Sequence, residues 1–390
     1  MLKRRLSVMV AHSFYRQPGG EDRYVNQQVR LLDRHHRVEL LARRNTDLSG
    51  GLATAMRMTF SHAEQGQVEQ AITRFHPDII HLHNAYPSLG PAVHLAAHRL
   101  GVPLVMTVHN YRLRCPNGYM FTEGAPCRRC ERGVYAHAVL HRCFPHRTQS
   151  LGYASALWLH RFVLRLHEKV ELFITPSEFV RARLLEWGIE KGRVSVVRNF
   201  TELEPGSAEP GHYGIYLGRL SGEKGVDVLL RALAHAGNPP FMIVGDGPSR
   251  QDLEGLASEL GLTRTRFTGH VPPQDVRNLL RSARLLAFPS MWHENAPIAA
   301  LEAMSAGRPL VVTRMGGLSE LVLGGEGFVC APGDAAGMAA HIEALFSDDA
   351  LCQTVGERAL ARARDEFSPE HHLERLERAY QNAIARTPST

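Results

Sequence analysis

The stretch HENAPIAALEAMSAG (residues 293–307) places two carboxylates, Glu294 and Glu302, eight residues apart around an apolar run. On one unbroken helix the pair would sit roughly 80° apart. Pro297, however, is a good first helical residue, with Asn295 or Ala296 near the cap. Glu294 then falls in the preceding loop and Glu302 on the second turn. The helix start between them offers unpaired backbone N–H groups to an anion. Two acceptors around such a helix end would suit a sugar-phosphate ligand. The competing reading is an ordinary helix carrying two exposed glutamates.

Other chemistry-bearing residues fall where apolar runs stop. GRLSGEKGVDVLLRAL carries Arg219 and Lys224 around a glycine turn that opens a helix, where two cations could reach one diphosphate from different sides. VGDGPSRQDLEGL sets Gly245 and Gly247 at another run's end, without the third glycine of a dinucleotide fingerprint. FTGHV adds Gly269 and His270. Near the N-terminus Gly19 and Gly20 precede an amphipathic segment, a pair that lets backbone approach a ligand and presents N–H groups to it, or simply makes a turn. TVHNY ends a further run with His109, and HLHN alternates His81 with His83, of which at least one reads as a core histidine.

Four of the six cysteines, Cys115, Cys127, Cys130 and Cys143, fall in one stretch with the spacing C-x11-C-x2-C-x12-C. A C-x2-C pair brings two thiolates to one ion, and the flanking cysteines can complete a tetrahedron around a structural zinc. His137, His141 and His146 are available to replace one ligand. Four free or partly paired cysteines are the alternative.

The elements that position these residues follow from hydropathy. Twelve apolar runs of strand length lie near residues 6–12, 38–43, 78–83, 103–109, 172–177, 194–199, 214–219, 241–247, 264–271, 283–290, 308–314 and 327–332. Most lack strict alternation, as in parallel strands buried on both faces, and amphipathic segments separate them. The chain therefore reads as α/β, with two doubly wound Rossmann-like domains and ligands expected at the carboxyl ends of strands, in the cleft. The first domain is expected over 1–200, with a Cys-rich insertion at about 112–147. The acidic, Pro/Gly-rich segment 201–213 reads as a linker, 214–367 as the second domain and 368–390 as a terminal helix.

Composition is globular, and the 390-residue length exceeds one ordinary core. Net charge is +6, but residues 1–200 hold 28 Lys+Arg against 15 Asp+Glu (+13), and residues 201–390 hold 17 against 24 (−7). A basic half implies anionic surroundings such as phosphorylated acceptors or an anionic membrane face, or else a solvated arginine-rich surface. LGYASALWLHRFVLRLHEKVELF (residues 151–173) sets Trp158, Phe162 and Leu166 beside Arg161, Arg165 and Lys169. That suits a helix lying on a bilayer or a domain helix with its apolar side inward. The apolar run Leu6–Ala11 is short for a signal peptide, and no stretch approaches a membrane span, so a cytoplasmic location is expected.

Taken in series, GRLSGEKG, GDGP, F-x-GHV, FPS, E-x7-E and EAM-x-AG-x-P resemble the retaining glycosyltransferases of family 4, which have the GT-B fold. The match runs from about Gly214 to Gly327, with looser agreement in the GG loop, HLHN, TVHNY and TPSEF. The resemblance implies hexosyl transfer from a nucleotide-sugar with retention at the anomeric carbon and no metal or other cofactor required for catalysis. It assigns Arg219 and Lys224 to the donor diphosphate, Glu294 to donor-sugar hydroxyls and Glu302 to the ribose. The backbone of Asn295, Ala296, Pro297 and Ile298 would lie near sugar and phosphates, and Gly269, His270 and Val271 near the base. His109 would sit over the sugar from the other domain. Gly19, Gly20 and Gly245 complete the expected donor set. The glutamate pair would thus grip two sugars at either end of one diphosphate, and is not a glycosidase acid/base dyad. The final segment resembles the helix that returns to the first domain in this fold. A saccharide or lipid-linked acceptor is implied, in cell-surface polysaccharide or glycoconjugate assembly. A non-catalytic nucleotide-binding scaffold is the alternative from another class. A nucleic-acid partner is not expected, because it would leave these motifs unused.

Overall fold

The computed structural model describes residues 4–16, 19–45 and 58–387. The chain divides into two compact units. Met1–Glu123, Cys127–Val197 and His372–Thr390 form the first, and Gly124–Pro126 with Arg198–His371 the second. The first unit holds six parallel strands: β1 (Ser7–Phe14), β2 (Arg37–Arg44), β3 (Ile79–Asn84), β4 (Leu104–Thr107), β5 (Leu172–Thr175) and β6 (Val194–Val196). Their order is β2-β1-β3-β4-β5-β6. Strand β3 is buried along its whole length, which is why its residues run apolar or histidine without alternation.

The second unit holds β7 (Tyr213–Leu217), β8 (Phe241–Val244), β9 (Thr265–Gly269), β10 (Ala283–Phe288), β11 (Leu310–Thr313) and β12 (Gly327–Cys330). The order is β9-β8-β7-β10-β11-β12, so the winding reverses between β7 and β10. Strand β10 feeds both faces. Leu286 and Phe288 pack with Leu301, Met304 and Leu318. Leu285 and Ala287 pack with Leu229, Leu233 and Ile342. Burying a Leu or Phe side chain this fully contributes roughly 1.5–3 kcal/mol, so the two apolar layers fix the register of the sheet.

Two expectations change. The segment 201–213, expected as a linker, is a strap on the second unit. Leu203 and Ala208 are buried, and the fully buried Arg308 guanidinium donates to the carbonyls of Ser207, Glu209 (2.7 Å), Ala283 (2.6 Å) and Ala306 (2.9 Å). Its two prolines and two glycines disfavour regular structure, and Arg308 supplies partners for backbone carbonyls of the segment. Residues 151–173 are also not one helix. An α-helix runs Arg147–Trp158, a π-turn follows over Leu159–Val163, and Arg165 at φ 49° ends the helical path before a 3-10 turn Leu166–Lys169. The break lets His160 turn inward to the Thr59 carbonyl (3.1 Å) and the Tyr86 hydroxyl. Leu166 is consequently buried, while Trp158 and Phe162 stay exposed. Among the described residues no helix is long and apolar enough to cross a membrane.

Candidate functional site

In the second unit the loops after β7 and β10 meet at the reversal point of the sheet. The chain leaves β7 through Gly218 and Arg219 and makes a 3-10 turn Gly222–Lys224 before the helix Val226–His235. Gly225 joins turn to helix at φ 66°, and a Cβ there would stand 2.3 Å from the Pro289 carbonyl oxygen, so only glycine lets the two loops touch. The contact brings Lys224 Nζ to 2.6 Å from Glu294 Oε1. Ser290 Oγ and Trp292 Nε1 donate to the same oxygen, each at 2.7 Å. Three donors converge on Oε1, and Oε2 carries none of these bonds. The Lys224 ammonium also lies 5.0 Å from the Trp292 ring centroid, a cation–π contact that steadies it.

Arg219 is half exposed and turns along its own loop. Its Nε donates to Ser221 Oγ (3.2 Å), and a terminal nitrogen lies 3.6 Å from Glu223. Each cation is thus held by a carboxylate, Lys224 by Glu294 and Arg219 by Glu223. Glu294 and Glu302 are both 5% exposed, which removes the reading of two exposed surface glutamates. Helix Ile298–Ser305 begins one residue later than expected. Pro297, at φ −70° and ψ 126°, is its cap, and no side chain caps the helix start. Glu302 lies on its second turn. The Asn295 amide is buried, with neither polar atom hydrogen-bonded, beside a chain anchored by Gly317 N–H to the Glu294 carbonyl (2.7 Å). Sequence reasoning singled out Asn295 for its backbone; its side chain is the unsatisfied group.

The remaining expected residues lie at the carboxyl edge of the same sheet. Gly245 has φ 137°, and a Cβ there would meet the Gly218 carbonyl oxygen at 1.9 Å. Close approach of strand ends therefore accounts for this glycine. Its N–H donates to the Gly269 carbonyl (2.9 Å), tying β8 to β9, after which His270 is exposed and Val271 half-buried.

In the first unit His109 follows β4. Its Nε2 lies 2.8 Å from His83 Nδ1 with the rings stacked, and Tyr24 abuts its ring edge-on. His81 stacks on His83 and bonds the Tyr380 hydroxyl and Thr107 Oγ1, both at 2.7 Å. Both strand histidines are thus core residues. Burial, then the nearby His12, pushes His109 down to about 3, and burial holds His81 and His83 well below the usual histidine range. All three imidazoles are neutral near pH 7, so His109 offers hydrogen bonds and no charge. Gly19 caps the helix Gly20–Asp33, and space is open above both glycines. Asp22 holds this loop, accepting from His12 Nε2 (2.8 Å) and the Tyr15 N–H (3.3 Å). Gln17 and Pro18 of the loop lie outside the described residues. Sequence reading missed His12, Tyr24, Asp22 and His372 as supports. An apolar strand ending in histidine was the available signal for His12.

Two family models tile the chain: "Glycosyltransferase Family 4" matches residues 18–205 and "Glycosyl transferases group 1" residues 200–362. Glycogen synthase of Mycobacterium tuberculosis is 30% identical over 305 residues, 75% of this chain and 65% of that protein. D-inositol 3-phosphate glycosyltransferase of Corynebacterium jeikeium is 35% identical over 43% of this chain and 42% of its own length. The chain therefore spans less than two thirds of the length of these relatives. Sucrose-phosphate synthase of Thermosynechococcus elongatus superposes with a TM-score of 0.70 at 19% identity, covering 98% of this chain and 100% of that one. HepE of Anabaena, solved with UDP and glucose, gives 0.68 at 21%, covering 97% and 100%. The chain belongs to glycosyltransferase family 4 and has the GT-B fold.

Proposed function

We propose that this protein transfers a hexose from a nucleoside diphosphate sugar to a saccharide or lipid-linked acceptor, with retention at the anomeric carbon, in cell-surface polysaccharide or glycoconjugate synthesis. The observation that carries the reading is the ion pair of part-buried Lys224 with buried Glu294 at the reversal point of the second sheet. A diphosphate placed there would meet the Lys224 ammonium and the half-exposed Arg219 guanidinium, which offset charge developing on the leaving group. Glu294 Oε2 and the Asn295 amide would take sugar hydroxyls, Glu302 the ribose, and His109, by the family resemblance, the donor sugar. Because neighbours of this fold were solved with UDP, uridine diphosphate sugars are the first donors to test. The test is turnover of a nucleotide-sugar panel, with and without candidate acceptors. Retention predicts an unchanged anomeric configuration in the product by NMR, and an inverted product ends that assignment. Neither transfer nor donor hydrolysis across the panel would favour the scaffold reading.

A second strand of the proposal is attachment to an anionic membrane face. Leu151 and Trp158 lie seven residues apart on one helix, and both are exposed, as is Phe162, whose ring centroid is 6.0 Å from that of Trp158. Arg161 stacks on Phe162 at 4.9 Å. Aromatic and aliphatic groups set among arginines suit the boundary between headgroups and acyl chains.

A further inference from the structure

We propose that Cys115, Cys127, Cys130 and Cys143 form a structural zinc site that fastens the segment following His109. The four cysteines are spread over residues 115–143, and all line one small cavity of the first unit, with room for about 10 Å³. That is close to the volume of a single water-sized sphere, so an ion fits where a larger ligand does not. None of the four is in a disulfide.

The surroundings suit a metal better than four neutral thiols. A zinc held by four thiolates carries a net charge of about −2, and its formation releases the four thiol protons to solvent. Arg114, Arg128 and Arg129 line the same cavity beside Glu131; Arg128 pairs with Glu131 and Arg129 with Glu123, yet the three cations outnumber the one carboxylate of the lining and offset part of that charge. Arg129 already points a terminal nitrogen at Cys127 Sγ (4.0 Å). Among the described residues no three ligating groups already stand together at metal-binding distance. Binding therefore draws the thiols inward, as expected where a site forms together with its metal.

The histidines are second choices. His141 is engaged with Glu123 Oε1 (3.0 Å), and His146, exposed at the start of helix Arg147–Trp158, does not line the cavity. His137 lines it, but the four sulfurs complete a tetrahedron without it. Four protein ligands leave no open position, so the ion would do no chemistry. It would tie Cys115, whose N–H donates to the Tyr111 carbonyl (2.9 Å), to the chain on either side of helix Ala136–Leu140. Tyr111 is fully buried two residues beyond His109, and the next side chain, Arg112, lies over the Tyr86 and Tyr153 rings. The loop carrying His109 would then be held from its far end.

The proposal is independent of the transfer reaction, and its test reads metal. The purified full chain should carry about one zinc by elemental analysis. Cys127→Ser and Cys143→Ser should each lose it, with a lower thermal midpoint, whereas His137→Ala and His141→Ala should keep it. Cobalt exchanged into the wild-type chain should give thiolate-to-metal charge-transfer bands and the ligand-field absorption of a tetrahedral four-sulfur site, both weakened in Cys127→Ser. Metal-free wild-type protein whose four thiols react freely overturns the proposal. So do disulfides among them by mass spectrometry, or zinc retained in both serine variants.

Discussion

Glu294 accepts from Lys224, Ser290 and Trp292 on a single oxygen, so each donor depends on the others for its geometry. Removing Lys224 leaves the carboxylate bound by two neutral donors and deprives the proposed donor site of a part-buried cation. Lys224→Ala and Glu294→Ala should each lower turnover by roughly 10²–10³-fold, with circular dichroism unchanged. Near-wild-type rates in either variant would remove the proposed site. Asn295 gives a different signature. A buried amide without partners costs about 1–3 kcal/mol in the free protein. Asn295→Ala should therefore leave the thermal midpoint unchanged or raised while weakening donor affinity about tenfold, measured by calorimetry. A fall in both would make Asn295 a structural residue. The buried histidines set the pH response. His109 and His94, each pushed to about 3, and His160, at about 4, sit below the unfolded value near 6.5 because burial disfavours the imidazolium. A depressed folded value stabilises above the unfolded one, and that contribution is lost as pH falls toward the folded values. Denaturant midpoints should drop progressively between about pH 6.5 and 3. A flat profile over that window would show these imidazoles to be solvated.

All twelve strands of the two parallel sheets were legible as apolar runs, because parallel strands covered on both faces need no alternation and each run stops at a polar or glycine residue; the short pair Phe121–Thr122 and Ala125–Pro126 was not. The loops proposed to hold the donor were legible for the same reason. What the sequence hid were effects of partners distant in the chain. The segment 201–213 looks like a free linker because it is acidic and broken by proline, and only Arg308, about a hundred residues away, shows it to be fastened. The helix at 147–158 looks continuous through residue 169, and the inward pull of Thr59 and Tyr86 on His160 ends it. Arg308 is thus a structural cation beside residues proposed to meet the ligand. Arg308→Leu strands several buried carbonyls and should destabilise the second unit by about 3 kcal/mol or more, read as a denaturant midpoint. Donor affinity of the molecules still folded should be unaffected; a selective loss of binding would place Arg308 in the site.

At the scale of the molecule, charge is segregated, +13 over residues 1–200 against −7 over the remainder. The chain should co-sediment with anionic vesicles and not with neutral ones, and salt should release it, since exposed charges are screened within about 10 Å at 0.1 M. Trp158→Ser with Phe162→Ser should weaken binding without altering the thermal midpoint, and equal binding to both vesicle types would remove the electrostatic part. The helix Pro369–Arg386 has a consequence for the order of events in synthesis. His81 waits for Tyr380, 299 residues later, and the Gln28 amide for His372, 344 residues later. On the ribosome the first unit is translated early yet cannot be finished until the last helix emerges. The second unit, contiguous through 198–371 apart from the short Gly124–Pro126 piece, can close while its predecessor still displays that histidine row to solvent. Of the two units, the one whose translation starts earlier is therefore the one completed later, and a nascent chain stalled before residue 372 would present that open surface to chaperones and proteases.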